Sequence, residues 1–349
     1  MLGKICFFAG NKDSFNVQLD LNSIGETINR SFDLDVISTY DFQFRNIRGY
    51  YNTFGTNYSR TQLGGYKALD AYLRESNPDC LVNISEPPIH GNIAGFLAQK
   101  HGVSFIYRYS GDRFDIHNIA NNISQRAKWF LLNNVVGNLP LKLAAKYITL
   151  GPVGKTRLTT RGVPASDISV LPPPVLPSRF KNSSTKTDCH IPGDRNIVLF
   201  VGRRSRLKGI DILEKAIPEI LQRRNDLQFV FVGSGRDINV PKTVSDHITV
   251  VGPVSPESVP AYFHRADVLV HPSLTESFGR VLVEALFCNT PVVARNAGEM
   301  PTITDNLFTT MSELVDLIVS FETLPLDDPD RYSPEALRPA YTEFFEQFN

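Results

Sequence analysis

Residues 268–299 read VLVHPSLTESFGRVLVEALFCNTPVVARNAGE, and this stretch decides the fold. Its opening apolar run, Val268–Val270, predicts a buried strand, and the polar residues 271–275 predict the turn that follows it. A helix is predicted by apolar side chains at i, i+4, i+7 and i+8, namely Phe278, Leu282, Ala285 and Leu286. Residues 291–294 predict a second buried strand, so the whole stretch indicates a strand, a helix and a strand in succession.

Two carboxylates bracket the predicted helix, Glu276 at its start and Glu284 eight residues later. If the intervening residues are fully helical, a rise of 1.5 Å per residue separates the two by roughly 12 Å. That is about the reach from a sugar across a diphosphate to a ribose. One ligand could therefore touch both carboxylates.

Length and charge limit what the chain can be. Its 349 residues are many for a single core and favour two domains. The 36 basic and 36 acidic residues balance, which argues against a bulk nucleic-acid binder. Residues 1–175 carry 18 Lys and Arg against 13 Asp and Glu, a net of +5, and the remainder carries 18 against 23, a net of −5. We therefore expect the first half to meet any anionic surface.

Cysteine usage and hydropathy indicate the compartment. Cys6, Cys80, Cys189 and Cys288 lie far apart with no C-x-x-C pair, which favours reduced structural thiols. The opening run, MLGKICFFAG, is too short for a signal peptide, and no segment has the roughly 18 apolar residues of a membrane span. We expect a cytoplasmic protein whose contact with a membrane, if it has one, is peripheral and at the inner face.

Strands and helices alternate in the first half, and two predicted strands end at candidate site residues. The strand at residues 4–9 runs into Gly10, in a loop where α/β proteins bind ligands, although Gly10 could equally serve only the turn. No G-x-G-x-x-G follows, so a dinucleotide fingerprint is absent. The strand at residues 104–109 ends in Ser110-Gly111-Asp112, which makes Asp112 the candidate catalytic residue of this half; a turn-forming Asp is the alternative.

Residues 124–147, SQRAKWFLLNNVVGNLPLKLAAKY, combine four basic residues and the single tryptophan, Trp129, with a wide apolar face. One interpretation is a surface that lies on a membrane beside a lipid acceptor. Core helices interrupted at Gly137 and Pro140 explain the pattern as well, and we favour them.

The composition of the chain changes after residue 171. Residues 172–195 are rich in Pro, Ser, Thr and Lys without apolar periodicity, and they predict a linker at 179–195 between domains at 1–178 and 196–332. Strand and helix alternate through the second domain, which requires a mostly parallel sheet with right-handed crossovers. A final helix is predicted within residues 333–349.

The loop after the first strand of the second domain has the chemistry of a diphosphate site. Arg203 and Lys208 share it with Gly202 and Gly209, which let backbone approach a ligand. The predicted helix start offers backbone N–H groups from a second direction, at Ser277, Phe278 and Gly279. Glu284 would accept from ribose hydroxyls and Glu276 from sugar hydroxyls. Singly, each could be an ordinary helix carboxylate; together with Arg203 and Lys208 they favour a ligand site.

These residues resemble the retaining glycosyltransferases of GT-B fold, specifically family four, the glycogen-synthase-like and mannosyltransferase-like group. The resemblance is carried by four motifs in order: VGR-x4-KG (Val201–Gly209), VFVGSG (Val230–Gly235), the PS of Ala266–Ser273, and E-x7-E (Glu276–Glu284). It covers residues 196–305 closely.

The resemblance implies an α/β protein with two facing Rossmann-like domains and a C-terminal helix that crosses back to the first. The second domain would hold the nucleotide sugar, through Gly202, Gly233, Glu284 and backbone at Ser277, Phe278, Gly279 and Arg280. Gly10 of the first domain would be a further nucleotide-sugar contact. Arg203 and Lys208 would stabilise the departing diphosphate, and Glu276 would orient the sugar. Transfer to a glycan or lipid-linked acceptor held by the first domain would retain configuration and need no metal or other cofactor.

Two departures from the family's pattern fall in the first domain. A histidine common there is replaced by Ser110-Gly111-Asp112, unless His90 or His117 takes its part, and the usual double glycine of the first loop is Gly10-Asn11. Two other functions stay open: a nucleotide-sugar epimerase or hydrolase of the same fold, and a catalytically silent nucleotide-sugar-binding module.

Overall fold

Every strand ladder among the described residues is parallel, as the alternation of strands and helices predicts. The structure is a computed structural model that describes residues 2–11, 13–85, 87–111, 114, 116–120, 122–181, 191 and 194–348. The chain divides into two units, one formed by residues 1–174 with 334–349 and the other by residues 175–333. Each unit has its own sheet and its own core.

The first unit is built on a seven-stranded sheet covered by helices. In spatial order its strands are β3 (Asn52–Phe54), β2 (Phe32–Ser38), β1 (Gly3–Gly10), β4 (Cys80–Asn83), β5 (Ser104–Tyr109), β6 (Lys146–Thr149) and β7 (Ile168–Val170). Its helices are α1 (Phe15–Ile28), α2 (Ile47–Tyr50), α3 (Gln62–Glu75), α4 (Pro87–His101), α5 (Ile123–Phe130), α6 (Leu139–Leu143), α7 (Pro152–Thr159) and α13 (Pro334–Glu346).

Helix α13 belongs to the first unit although it ends the chain. The Phe345 ring packs edge-on against Phe7 and Phe32, with centroids 6.2 and 6.0 Å apart. The Tyr341 hydroxyl donates to the Pro172 carbonyl at 3.0 Å. These contacts confirm the predicted return of the last helix to the first domain of the fold.

The second unit repeats the scheme with six strands. In spatial order they are β10 (Ile248–Gly252), β9 (Leu227–Val232), β8 (Asn196–Val201), β11 (Val268–His271), β12 (Val292–Arg295) and β13 (Leu307–Phe308). The helices are α8 (Ser178–Lys181), α9 (Ile210–Arg223), α10 (Val259–Arg265), α11 (Arg280–Phe287) and α12 (Met311–Val319). Helix α9 shows the expected apolar spacing, with Ile210, Leu213, Ile217 and Ile220 buried against the sheet.

Strand order reverses direction between β8 and β11. From β8 the chain proceeds outward through β9 and β10, and it then returns to pair β11 on the other side of β8. In open parallel sheets, ligands bind in the crevice outside the carboxyl ends of the strands at such a switch point. The loops after β8 and β11 carry most of the predicted site residues.

The favoured interpretation of residues 124–147 as core helices is wrong for α5, which buries none of its residues. The segment continues as a π turn at Leu131–Val135, a short 3-10 turn at Val136–Asn138, and α6, where Pro140 and Leu141 are buried. The predicted interruptions near Gly137 and Pro140 are therefore present. No helix in the described part of the chain is long and apolar enough to span a bilayer.

The packing of α13 makes a stability prediction. Phe345→Ala should destabilise the protein by about 3–5 kcal/mol, because it removes a fully buried ring that contacts two strands. Urea denaturation measures the change. Glu343→Ala, at an exposed position of the same helix, is the control and should stay within about 0.5 kcal/mol of wild type. Equal effects of the two substitutions would contradict the packing described.

Candidate functional site

Two loops meet at the carboxyl edge of the second sheet. The Leu274 N–H, after β11, donates to the carbonyl of Leu207, after β8, at 2.9 Å. Gly209 has a φ of 75°, and a Cβ there would lie 2.0 Å from the Pro272 carbonyl oxygen, so only glycine permits this approach. The contact brings Lys208 beside the residues that follow β11.

The carboxylate of Glu276 lies where the loops after β8 and β11 meet, and its side chain is only 16% exposed. The Lys208 Nζ donates to Glu276 Oε2 at 2.6 Å, and His271 Nε2 lies 3.0 Å from the same oxygen. The loop after β12 fixes the backbone of Glu276, because the Glu299 N–H donates to its carbonyl at 3.1 Å. Both side-chain bonds go to Oε2, which leaves Oε1 available to a ligand hydroxyl.

The protonation states in this cluster follow from burial and charge. Burial acts to raise the pKa of Glu276, but the His271 hydrogen bond and the charge of Lys208 outweigh it and lower the pKa to about 2. Burial lowers the pKa of His271, against the opposing influence of Glu276. A neutral imidazole beside an ionised carboxylate must carry its proton on Nε2 and donate it to Glu276. The His271 ring therefore orients Glu276 without adding charge.

The second carboxylate, Glu284, lies on α11 and is partly buried. Burial raises its pKa, and the charges of Arg280 and Arg179 oppose that rise. Arg179 lies in α8, on the chain segment that enters the second unit. A carboxylate that feels the charges of two guanidinium groups suits a ligand that offers both hydroxyls and phosphate oxygens.

The helix after Glu276 begins later than predicted. Helix α11 starts at Arg280, so the backbone N–H groups of Ser277, Phe278 and Gly279 belong to the preceding loop and not to a helix start. The Phe278 side chain is buried, with its ring edge-on to Tyr332 at 5.2 Å, and could offer a ligand only its backbone. Because Glu276 and Glu284 are not joined by one continuous helix, the separation of roughly 12 Å expected from helical rise does not apply.

Two adjacent arginines after β8 have opposite environments. Arg203 is exposed and pairs with no described residue. Arg204 is buried, and its guanidinium donates to the carbonyls of Gly233, Gly235 and Arg236, the last at 2.9 Å. It thereby holds the loop after β9 against the loop after β8. Gly233 has a φ of 127°, and a Cβ there would lie 2.1 Å from the Gly202 carbonyl oxygen, so both predicted glycines lie where these loops touch.

Gly10, a predicted site residue of the first unit, lies at the carboxyl edge of its sheet. Gly10 ends β1, and the His90 ring packs against its Cα. His90 Nε2 lies 2.6 Å from Asn11 Oδ1, so the first loop and the start of α4 are joined. Asp112 lies outside the described residues.

Sequence reasoning missed His271 and Arg204. His271 is predicted only as part of the polar turn. Its place at the end of a buried strand, five residues before Glu276, is a signal that it could contact that carboxylate. Arg204 had no such signal, because the sequence does not show which of the two adjacent arginines is buried. Among the described residues, no three His, Cys, Asp or Glu side chains are arranged to hold a metal ion.

Comparisons with known proteins bear on this site. Residues 184–312, which include all of the switch-point residues, match the family model described as Glycosyl transferases group 1. Among curated proteins, the chain is 30% identical over 154 residues to the phosphatidylinositol N-acetylglucosaminyltransferase GPI3 subunit of Saccharomyces cerevisiae, covering 42% of this chain and 34% of that one. It is 41% identical over 111 residues to the D-inositol 3-phosphate glycosyltransferase of Pseudarthrobacter chlorophenolicus, covering 29% and 26%. The matches thus span about a third or less of those relatives' lengths.

Solved structures are similar over nearly the whole chain. HepE of Anabaena in complex with UDP-glucose matches with a TM-score of 0.69 at 15% identity, covering 99% of each chain. Sucrose-phosphate synthase of Thermosynechococcus elongatus matches with a TM-score of 0.69 at 19% identity, covering 99% of this chain and 94% of that one. The fold is GT-B. The predicted fold is thereby confirmed, and residues 184–312 are similar to the glycosyltransferase family that the motifs indicated.

The lowered pKa of Glu276 predicts that the stability of the protein depends on pH. Its pKa is lowered from 4.5 to about 2 on folding, so the stabilisation is complete above pH 4.5 and is lost as the pH falls toward 2. Glu276→Gln should therefore cost more stability at pH 7 than at pH 3. The difference should shrink by at most about 1.4 kcal/mol per pH unit, the limit for one proton.

Urea denaturation across this pH range measures the effect. The control is Glu219→Gln, at an exposed position of α9, for which the difference from wild type should stay constant. A Glu276→Gln cost that is the same at both pH values would mean that the carboxylate is not held as described.

The paired arginines give a second prediction. Arg204→Leu should destabilise the protein by about 3 kcal/mol, because three backbone carbonyls lose a charged donor. Arg203→Leu should change stability by less than about 0.5 kcal/mol, because that side chain is exposed. Denaturation of the two variants side by side is the measurement, and similar losses in both would refute the assignment.

Proposed function

We propose that this chain is a retaining glycosyltransferase that moves a sugar from a nucleotide-diphosphate sugar to a hydroxyl acceptor. The proposal rests on the ion pair between Lys208 and the ionised Glu276. The pair lies at the switch point of the second sheet, where the Glu276 side chain is only 16% exposed. Exposed Arg203 lies on the same loop as Lys208 and would add a second cation. A leaving diphosphate needs such charges.

Each residue would have a defined task in transfer. Lys208 has three N–H donors, so it could keep its bond to Glu276 and still bind a phosphate oxygen. Arg203 would bind the diphosphate with a fork of donors, and negative charge that develops on the leaving group would be stabilised by both cations. Glu276 Oε1 would accept from sugar hydroxyls, and Glu284 from the ribose. In this scheme Lys208 and Arg203 provide the positive charge at the diphosphate, and we propose that transfer is metal-independent.

The donor class is supported by the comparisons. HepE was solved with UDP-glucose, and separately with UDP and glucose, which makes UDP-sugars the first candidates. Gly202, Gly233 and the loop that Arg204 holds would line the nucleoside side of the site. Backbone groups from Ser277 to Arg280 would approach the phosphates.

The acceptor would bind to the first unit, where Asp112 is the candidate catalytic residue and His90 a candidate contact. A glycan or lipid-linked acceptor is proposed, and the names of both curated relatives add inositol phosphates to the panel to be tested. The three cysteines that the structure describes are free and buried, which supports a cytoplasmic location. Contact with a membrane would be made by the first unit.

Donor binding is tested by thermal shift with UDP-, GDP-, ADP- and dTDP-sugars, without metal and again with Mg²⁺. A ligand at 100 times its Kd should add about 2.7 kcal/mol of stability to wild type. Lys208→Met and Glu284→Ala should lose that shift. Lys215→Met, which removes an exposed charge from α9, is the matched control and should keep it.

Transfer is tested with the donor that binds. Lys208→Met should lower turnover by about 10²–10³-fold, as expected when one stabiliser of the transition-state charge is removed. NMR of the anomeric proton decides between retention and inversion. Turnover that is no faster with any acceptor would favour the epimerase or hydrolase, and donor binding without turnover would favour the silent module. If no nucleotide sugar shifts the wild type, with or without Mg²⁺, the donor site is refuted.

A further inference from the structure

Residues 123–141 of the first unit expose five large apolar side chains to solvent. Positions 123, 127, 131, 135 and 139, here called the outward row, are all exposed. Positions 125, 129, 133, 137 and 141, the inward row, are half-buried or buried. The difference in burial, and not helical spacing alone, shows that the outward row faces solvent and the inward row faces the rest of the protein.

The composition of the two rows is the reverse of what a packed surface helix needs. The inward row holds Gln125, Asn133 and Gly137 beside Trp129 and Leu141. The outward row, with Phe130 next to it, holds large apolar side chains whose exposed fractions are 87% for Ile123, 48% for Phe130, 57% for Leu131, 52% for Val135 and 52% for Leu139. A soluble surface helix keeps its apolar stripe toward the core. Here the stripe faces outward, which marks an interaction surface.

The chain segment that carries the outward row has charges of one sign. Residues 116–166 contain seven Lys and Arg and no Asp or Glu. Arg126 and Lys128 flank Ala127 of the outward row, and Lys142 follows Leu139 by three residues; all three cations are exposed. Long basic side chains can lay their methylene stems along an apolar surface while their charged ends reach polar groups at its edge.

We infer that the outward row with Arg126, Lys128 and Lys142 is a docking surface for an anionic lipid bilayer. An apolar stripe flanked by Lys and Arg is the pattern of a helix that lies in the plane of a membrane interface. Anionic headgroups would attract the three cations while Ile123, Phe130, Leu131, Val135 and Leu139 enter the boundary of the acyl chains.

Charge distinguishes this occupant from a second copy of the chain. A two-fold interface would bring the same surface against itself, so Arg126, Lys128 and Lys142 of both copies would lie within one interface. Like charges brought together oppose such association, whereas an anionic bilayer complements them. Anionic lipid is therefore the occupant that the surface fits.

Co-sedimentation of the full chain with vesicles tests the inference. The vesicles are phosphatidylcholine with and without phosphatidylglycerol, each at low and high salt. Wild type should partition at least about tenfold more strongly onto the anionic vesicles, and salt should weaken that preference. The assay contains no sugar donor, so its failure would leave the transfer proposal standing.

Matched variants locate the surface. Phe130→Ser with Leu131→Ser should lower partitioning at least about tenfold. The control is Leu63→Ser with Phe96→Ser, which removes the same two residue types from exposed positions on α3 and α4 of the same unit and should leave partitioning unchanged. Arg126→Gln with Lys128→Gln should remove most of the preference for anionic vesicles. The substituted side chains are exposed, so thermal melts of all variants should match wild type.

Three outcomes would overturn the inference. The first is a wild-type chain that does not sediment with anionic vesicles at low salt. The second is an equal loss of partitioning in the Leu63 and Phe96 control. The third is a dimer, detected by light scattering, that the Phe130 and Leu131 substitutions abolish, because the outward row would then be a contact between copies.

Discussion

The site in the second unit depends on one interaction, the pairing of the Glu276 carboxylate with two donors. The Glu276 side chain is only 16% exposed, and an ionised group there is stable because Lys208 and His271 both donate to Oε2. The two donors arrive on different elements: Lys208 on the loop after β8, and His271 at the end of β11. Their convergence depends on a backbone approach between Gly209 and Pro272 that a side chain would block. A single ion pair thus requires the register of two strands and the conformation of two loops.

The same dependence explains why the site lies at the switch point. Parallel strands deliver their following loops to one edge of the sheet, and at the reversal the chain leaves β8 toward β9 and leaves β11 toward β12, in opposite directions. Such a reversal is where open parallel sheets leave a crevice for a ligand. Arg204 extends the arrangement to a third strand, since its guanidinium binds the loop after β9. The site is therefore assembled from short polar loops on a rigid apolar sheet. Such loops can differ between proteins of one fold without loss of the scaffold.

The first unit uses its surface differently. Its sheet is covered on one side by α1 and α13, and the segment from α5 to α6 adds little to either core. That segment is held to the rest of the unit by polar contacts: the Asn134 side-chain amide donates to the Phe114 carbonyl at 3.0 Å, and Arg161 donates to the Asn134 side chain at 2.7 Å. Fixing a helix by amide and guanidinium bonds leaves its apolar side chains free for another contact. This is the physical basis of the surface assigned to lipid.

The sequence by itself determined the fold class, the parallel sheets and most strands, because apolar runs separated by helical periodicity permit few other architectures. It could not reveal the edge strands β3 and β13, which have three and two residues and no apolar run to mark them. Motif order brought out Arg203, Lys208, Glu276 and Glu284, since charged residues at fixed offsets from buried strands are visible in one dimension. Tertiary structure alone decided that His271 bonds Glu276, that Arg204 is structural beside exposed Arg203, and that α5 turns its apolar stripe outward. Periodicity shows that a helix has two faces, but which face meets the protein depends on contacts with residues far away in the chain.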